Sequence, residues 1–201
     1  MVIPQKMWTK IKIFEIRKDA LESLRKDYNG RIVKNKRIVF SYYYMFPFII
    51  SITFLSIGVS INSDIANYFI TGISIFAGLF FNLLLVVADK LNVRKRLLDS
   101  DSNEETKNYV IRYRHFSEQL ISQISYGIVI SIGLIILMFF THFKSLLPQT
   151  DMCYVKIINK ILEYTLNGLI FFNGTQFIIM LFVILSSMYV MLLDDLKIKN
   201  K

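Results

Sequence analysis

Charge is missing from four long stretches of this sequence, none of which contains Lys, Arg, Asp or Glu. These stretches are Ile38–Ser63, Ile65–Ala88, Gln119–Thr141 and Tyr164–Leu193. A helix needs about 20 apolar residues to cross about 30 Å of hydrocarbon, and each stretch is at least that long. We therefore predict an all-α integral membrane protein with four transmembrane helices, whose function lies in a pore, a helix interface or the soluble ends.

Other features that the sequence lacks exclude further classes of function. The only cysteine, Cys153, cannot form a disulfide within the chain, and no Cys/His spacing is typical of a metal site. The sequence has no P-loop, G-x-S-x-G or H-E-x-x-H motif. The spans also lack the acidic and basic residues that form relays in ion-coupled transporters. We expect a protein that is not an enzyme and that uses no cofactor or metal.

The predicted membrane domain covers residues 38–193, between a basic N-terminal segment at 1–37 and a tail at 194–201. Its four spans are predicted at 38–61, 66–88, 119–141 and 174–193. Both ends of the chain then lie on the same side of the membrane, because the number of spans is even.

The region before the fourth span is predicted to be a separate helix on the outer surface. An apolar face follows helical spacing there, at Val155, Ile158, Leu162 and Leu166. Asn167-Gly168 is a pair that commonly ends helices. We therefore predict an outer interfacial helix over 151–167, ended by this pair.

Residues 89–118 are predicted to form a helical hairpin between the second and third spans. Ser102 and Glu105 have the spacing of a capping box, which indicates that a new helix starts there. Nothing interrupts this helix before Thr141, so it would have roughly 37 residues and a length of ~55 Å. That exceeds the hydrocarbon thickness by about 25 Å, and we expect the hairpin to project into the cytoplasm.

Two parts of the N-terminal segment have open interpretations. Trp8–Arg17 alternates as a short strand does, whereas helical spacing is slightly better from Phe14 onward. The basic run Arg31–Val39 fits either a small hairpin or the start of the first span.

The distribution of basic residues predicts the orientation. Of the 24 Lys and Arg residues, all but Lys144, Lys156 and Lys160 fall on the side that carries both termini. Cytoplasmic loops carry the excess of Lys and Arg in membrane proteins. We therefore expect a multi-pass membrane protein with cytoplasmic N and C termini.

The second span carries a polar or small stripe on one helical face. Its members recur at steps of three, four or seven residues: Thr71, Ser74, Gly78, Asn82 and Asp89. A polar face in a membrane turns towards protein or water. The stripe therefore indicates either close packing of helices, which small residues allow, or the lining of a pore.

The predicted hairpin carries six candidate contacts for a polyanion. They are Arg94, Lys95, Arg96, Lys107, Arg112 and Arg114. One interpretation is contact with anionic membrane lipids, which also orients the protein. The other is a basic vestibule that binds an oligonucleotide or nucleotide, because aromatic residues near the last of these, including Tyr109, Tyr113 and Phe116, suit base stacking.

Two further groups have alternative interpretations. The run Tyr42-Tyr43-Tyr44 is typical of an aromatic belt at the membrane boundary, or of a constriction in an oligomer. The residues at the predicted outer end of the fourth span fit a pore mouth or an interfacial cap. They are Asn173, Thr175 and Gln176.

The overall plan resembles the small four-span membrane effectors of bacterial anti-phage defence. It is most similar to the channel component of Hailong systems and, less specifically, to the membrane component of Kiwa systems. The resemblance covers the architecture over most of the chain, with four spans, termini inside and a basic cytoplasmic face. No short motif carries it, so it assigns no role to any residue.

This resemblance implies a homotetrameric ion channel whose opening kills or arrests the infected cell. In the Hailong case it also implies control by a DNA oligomer made by a partner nucleotidyltransferase. The alternative function is a non-conducting membrane sensor or scaffold that recruits a cytosolic partner protein. A pore requires water along the stripe of the second span, whereas a scaffold requires the stripe to be packed.

Overall fold

The computed structural model describes residues 12–27, 30–32, 34–100, 104–144 and 153–199. Within these ranges the chain is helical apart from short turns and one isolated bridge between Lys26 and Ile32. The elements are α1 (Ile13–Ser23), α2 (Lys36–Phe40), a π-helical turn (Ser41–Met45), α3 (Phe46–Ser56), α4 (Ser63–Ser100), α5 (Glu104–Lys144) and α6 (Cys153–Lys199).

Four segments are long and apolar enough to cross a membrane. They are Lys36–Ser56, Ser63–Val93, Lys107–Thr141 and Val155–Leu193. The prediction of an all-α, multi-pass membrane protein with four spans is therefore confirmed. The first of these segments is composed of α2, the π-helical turn and α3, while each of the others lies in one continuous helix.

The first span ends earlier than predicted, at Ser56 rather than residue 61. Gly58 has a φ of 77°, a conformation in which glycine meets no Cβ penalty. Its N–H donates to the carbonyl of Leu55, and the N–H of Val59 donates to that of Phe54. These two bonds form a Schellman motif, which stops the helix.

The π-helical turn in the first span lies directly before Pro47. Proline has no N–H and its ring collides with the carbonyl four residues earlier, which here is that of Tyr43. In this turn the N–H of Phe46 donates to the carbonyl of Ser41, five residues back. The carbonyl of Tyr43 accepts a hydrogen bond of 3.1 Å from Nε2 of Gln176 on α6.

The predicted continuity of residues 105–141 is confirmed, because α5 runs unbroken from Glu104 to Lys144. The preceding helix, α4, continues to Ser100, so the two helices form a long antiparallel hairpin. At ~1.5 Å per residue they are about 57 and 61 Å long. Ser102 of the predicted capping box lies outside the described residues.

Helix α5 is the centre of the subunit, and it packs against α1, α4 and α6. Two rows of buried residues repeat along it at intervals of seven. One row comprises Tyr113, Leu120, Gly127 and Leu134, and the other Ser117, Ile124, Ser131 and Met138. Their spacing matches the a and d positions of a heptad, which produces knobs-into-holes packing. We call these eight residues the α5 seam.

The predicted break at Asn167-Gly168 is wrong, because α6 is a single helix from Cys153 to Lys199. The pair instead contacts the first span and the loop that follows it. Oδ1 of Asn167 accepts from the N–H of Ile61 at 3.4 Å, and the carbonyl of Gly168 accepts from Oγ of Ser51 at 2.8 Å. Contacts with other parts of the chain thus explain why the helix contains two residues that locally favour a helix end. The predicted position of residues 151–167 at an outer membrane surface stays a prediction.

The N-terminal segment is helical at Ile13–Ser23, so the strand interpretation is wrong for the described part of it. The bridge between Lys26 and Ile32 closes a turn that contains Gly30 at a φ of 77°. The chain becomes helical again at Lys36. The hairpin interpretation of the basic run 31–39 is therefore wrong, because Ile32 pairs with Lys26 outside the run, whereas Lys36 does start the first span.

Candidate functional site

The buried face of α4 is apolar over residues 63–93, the part of the helix whose side chains the structure describes. It comprises Ala66, Ile73, Phe80 and Val87, again at intervals of seven. Phe80 packs over Gly127 of α5, where a Cβ would lie only 3.0 Å from the Phe80 ring. This face joins α4 to the core of the subunit and leaves its other side open.

All five members of the predicted polar stripe lie on that open side. Thr71, Ser74, Gly78, Asn82 and Asp89 are exposed in the single chain. Packing against other helices of the same chain therefore does not explain the stripe. The remaining interpretations are contact with another molecule and contact with water.

The stripe is polar without being charged inside the apolar stretch. The hydroxyl of Thr71 donates to the carbonyl of Asn67 at 2.9 Å, so it is satisfied within its own helix. The Asn82 amide, in contrast, makes no hydrogen bond with any described residue. A Cβ added at Gly78 would meet no atom within 4 Å. The stripe thus presents at least one unsatisfied amide to whatever covers α4.

The basic candidates fall into three groups. Lys107 and Arg112 are exposed on α5. Arg114 is also exposed, but its Nε donates to Oε1 of Glu118 at 2.8 Å, which neutralises part of its charge. The side chains of Arg94, Lys95 and Arg96 lie outside the described residues, although their backbone belongs to α4.

The expectation that hairpin aromatics stack on bases is wrong for two of the three residues named. Tyr113 and Phe116 are buried, at 0% and 6% exposure, and belong to the core of the subunit. Tyr109 is half-buried, and its ring lies 6.2 Å from that of Tyr113. Aromatic residues at helical spacing can equally form the buried face of a helix, and here they do so.

Gln176 is not a pore-mouth or cap residue, because it is buried and holds the carbonyl of Tyr43. The run Tyr42-Tyr43-Tyr44 is likewise only partly exposed. Tyr42 is 70% exposed, whereas Tyr43 is 1% exposed and packs against the rings of Tyr44 and Tyr126.

Sequence reasoning missed a buried polar contact at the centre of the subunit. Nε2 of Gln123 on α5 donates to the hydroxyl of Ser23 on α1 at 3.0 Å. The hydroxyl of Ser187 on α6 donates to Oε1 of the same glutamine at 3.3 Å. Gln123 thus joins three helices. The sequence offered one indication of its burial, because Gln123 is adjacent to Ile124 of the α5 seam.

Comparison with models of protein families, with curated proteins and with solved structures finds no match to this chain. Its function must therefore be argued from the arrangement of its own residues.

Proposed function

We propose that this chain is the subunit of a homo-oligomeric ion channel, with the stripe of α4 facing a water-filled axis. The observation that carries the proposal is the exposure of all five stripe residues on the side of α4 that points away from its own subunit. An unsatisfied amide such as that of Asn82 is costly against lipid tails. Further copies of the chain around an axis would remove the stripe from lipid.

A tetramer is the favoured assembly, since the overall plan resembles the channel component of Hailong systems. The same resemblance makes anti-phage defence in a bacterial inner membrane the proposed setting. The excess of Lys and Arg supports cytoplasmic termini. The hairpin then forms a cytoplasmic vestibule in which Lys107 and Arg112 are exposed to a polyanion. A DNA oligomer from a partner nucleotidyltransferase is the proposed ligand.

Cysteine accessibility tests the pore face. Cys153 is replaced by Ser, and single cysteines are placed at Ser74, Gly78 and Asn82. We expect these three to react faster with an aqueous thiol reagent than a cysteine at the buried Phe80 or at Phe76, which is exposed on the same helix but outside the stripe. Equal reactivity at stripe and control positions would remove the pore assignment.

Single-channel recording tests conduction directly. Asn82→Leu replaces the unsatisfied amide by an apolar group of similar size, and apolar constrictions block pores by dewetting. We expect this variant to lose most of its current, whereas Leu79→Ile, which keeps an apolar residue on the same helix, retains it. If the wild type carries no current and its stripe cysteines are unreactive, the alternative of a non-conducting sensor or scaffold is favoured instead.

A further inference from the structure

A second candidate site lies in a cleft between α1 and the start of the first span. The cleft has a volume of about 550 Å³. Four of its lining residues are cationic: Arg17, Lys18, Arg25 and Lys36. The carboxylate of Glu22 also lines it. The lining therefore has an excess of positive charge, although it is separate from the hairpin residues Lys107 and Arg112.

Aromatic residues from both sides form part of the cleft lining, and we call this part the aromatic wall. It includes Phe14, Phe40 and Tyr44. The rings of Phe40 and Tyr44 lie 5.1 Å apart, and Phe14 is 83% exposed. Nη2 of Arg17 donates to the Tyr44 hydroxyl at 2.7 Å, and its guanidinium lies 5.6 Å from the centre of that ring. Arg17 therefore fixes α1 against the first span and holds a cation beside the aromatic surface.

No carboxylate of the described residues forms an ion pair with any of these four cations. Lys18 and Lys36 form no ion pair with any described residue. Nε of Arg25 is buried and has no hydrogen-bond acceptor within the described part of the chain. Glu22 faces a different cation, since its Oε1 lies 3.8 Å from Nζ of Lys26. Because Arg25 also lines the cleft, an anion there would lie beside a guanidinium group that has no carboxylate partner among the described residues.

We propose that this cleft binds a phosphate ester in which the phosphate contacts Arg25, Lys18 and Lys36 and an attached ring or chain packs on the aromatic wall. Arg and Lys are the usual ligands of phosphate in proteins. Lys36 starts the first span, so both an anionic phospholipid headgroup and a free nucleotide present this chemistry at the right place. The site does not depend on whether the protein conducts.

The test uses the full-length protein and two probes. The first is phosphatidylglycerol in phosphatidylcholine nanodiscs, with bound lipid counted by native mass spectrometry after release. The second is ATP, measured by equilibrium dialysis against protein in nanodiscs of phosphatidylcholine alone. The variant Lys18→Gln/Arg25→Gln/Lys36→Gln removes three cations from the cleft. We expect it to bind the preferred probe roughly 100-fold more weakly, at about 1 kcal/mol for each charge near an anionic surface.

The matched control is Arg31→Gln/Lys34→Gln/Arg37→Gln, which removes the same charge from exposed residues that do not line the cleft. It should bind the preferred probe as the wild type does. Retention of phosphatidylglycerol identifies a lipid headgroup, and ATP binding identifies a free phosphate. If neither probe binds, or if the two triple variants are weakened equally, the cleft is not a phosphate site. Because Lys18 and Lys36 are exposed, Lys18→Gln/Lys36→Gln repeats the test without changing the half-buried Arg25.

Discussion

Helices α4 and α5 have similar lengths and pack against each other, but their surroundings differ. In the most apolar 18 residues of α5, 39% of the residues are buried. In the corresponding part of α4, only 17% are buried. Helix α5 contacts three other helices and buries both rows of its seam, whereas α4 buries a single row and exposes a polar stripe. We infer that α5 determines the stability of the subunit, while the free face of α4 is available for assembly and function.

The largest expected effect is loss of core packing in α5. Leu134→Ala removes a fully buried side chain of the seam, and such changes cost about 2–5 kcal/mol because they leave a cavity. Thermal unfolding in detergent, followed by circular dichroism, should show this loss. The control Ile136→Ala lies on the same helix at 51% exposure and should have a small effect. Equal destabilisation by both variants would break the distinction between the seam and the outer surface of α5.

Substitutions at two glycines, one in each helix, test the difference in packing between α5 and α4. A Cβ at Gly127 of α5 would lie 3.0 Å from Phe80 and 3.3 Å from Ile184, whereas a Cβ at Gly78 of α4 would meet no atom within 4 Å. We expect Gly127→Val to lower the free energy of unfolding by about 1–3 kcal/mol through overpacking. Gly78→Val should leave this quantity unchanged and alter the oligomeric state or the current. A stability loss at Gly78 would mean that the stripe is packed within the subunit.

The positions of the spans could be predicted from the sequence, because charge is excluded from hydrocarbon on every face of a helix. The continuity of α5 could be predicted for the same kind of reason, since no residue from Glu105 to Thr141 breaks a helix. The buried side of α4 could not, although Ala66, Ile73, Phe80 and Val87 repeat every seven residues. Lipid is as apolar as a protein core, so hydropathy gives no contrast between the two sides of a span.

The predictions that were wrong relied on local signals that tertiary contacts override. Asn167-Gly168 favours a helix end, but Gly168 lets the first span approach closely: a Cβ there would lie 3.2 Å from Leu55. In contrast, Gly58 did stop a helix, and only its left-handed conformation distinguishes it from Gly168. The role of Gln176 could not be predicted either, because its partner is the carbonyl of Tyr43, which lies 133 residues earlier and which Pro47 leaves without a backbone donor.

A second pair of helices, the first span and α6, is joined by hydrogen bonds, and the contribution of one such bond to stability can be measured. Gln176→Leu removes the donor to the Tyr43 carbonyl, and an unsatisfied buried acceptor costs about 1–3 kcal/mol. Pro47→Ala supplies a backbone N–H that can donate to the same carbonyl. We therefore expect Gln176→Leu to cost less in the Pro47→Ala background than in the wild type. A double-mutant cycle of unfolding free energies measures this, and strict additivity would contradict it.

The smallest expected effect on stability lies at an exposed ion pair in the N-terminal half of α5, between Arg114 and Glu118. Glu118→Gln removes the carboxylate that pairs with Arg114 at 2.8 Å, and such exposed pairs contribute less than about 0.5 kcal/mol. Its effect on ligand binding should be clearer, because Arg114 would then offer its full charge to a polyanion. We expect tighter binding of a short single-stranded DNA. The plot of log affinity against log salt concentration should become steeper by up to about 0.7, the value for one further phosphate contact.

The control is Glu163→Gln, which removes the same charge from an exposed position on α6, on the predicted outer side. It should change neither the DNA affinity nor its salt dependence. An equal gain in both variants would indicate a response to net charge alone, and no gain at Glu118 would exclude Arg114 from the proposed vestibule.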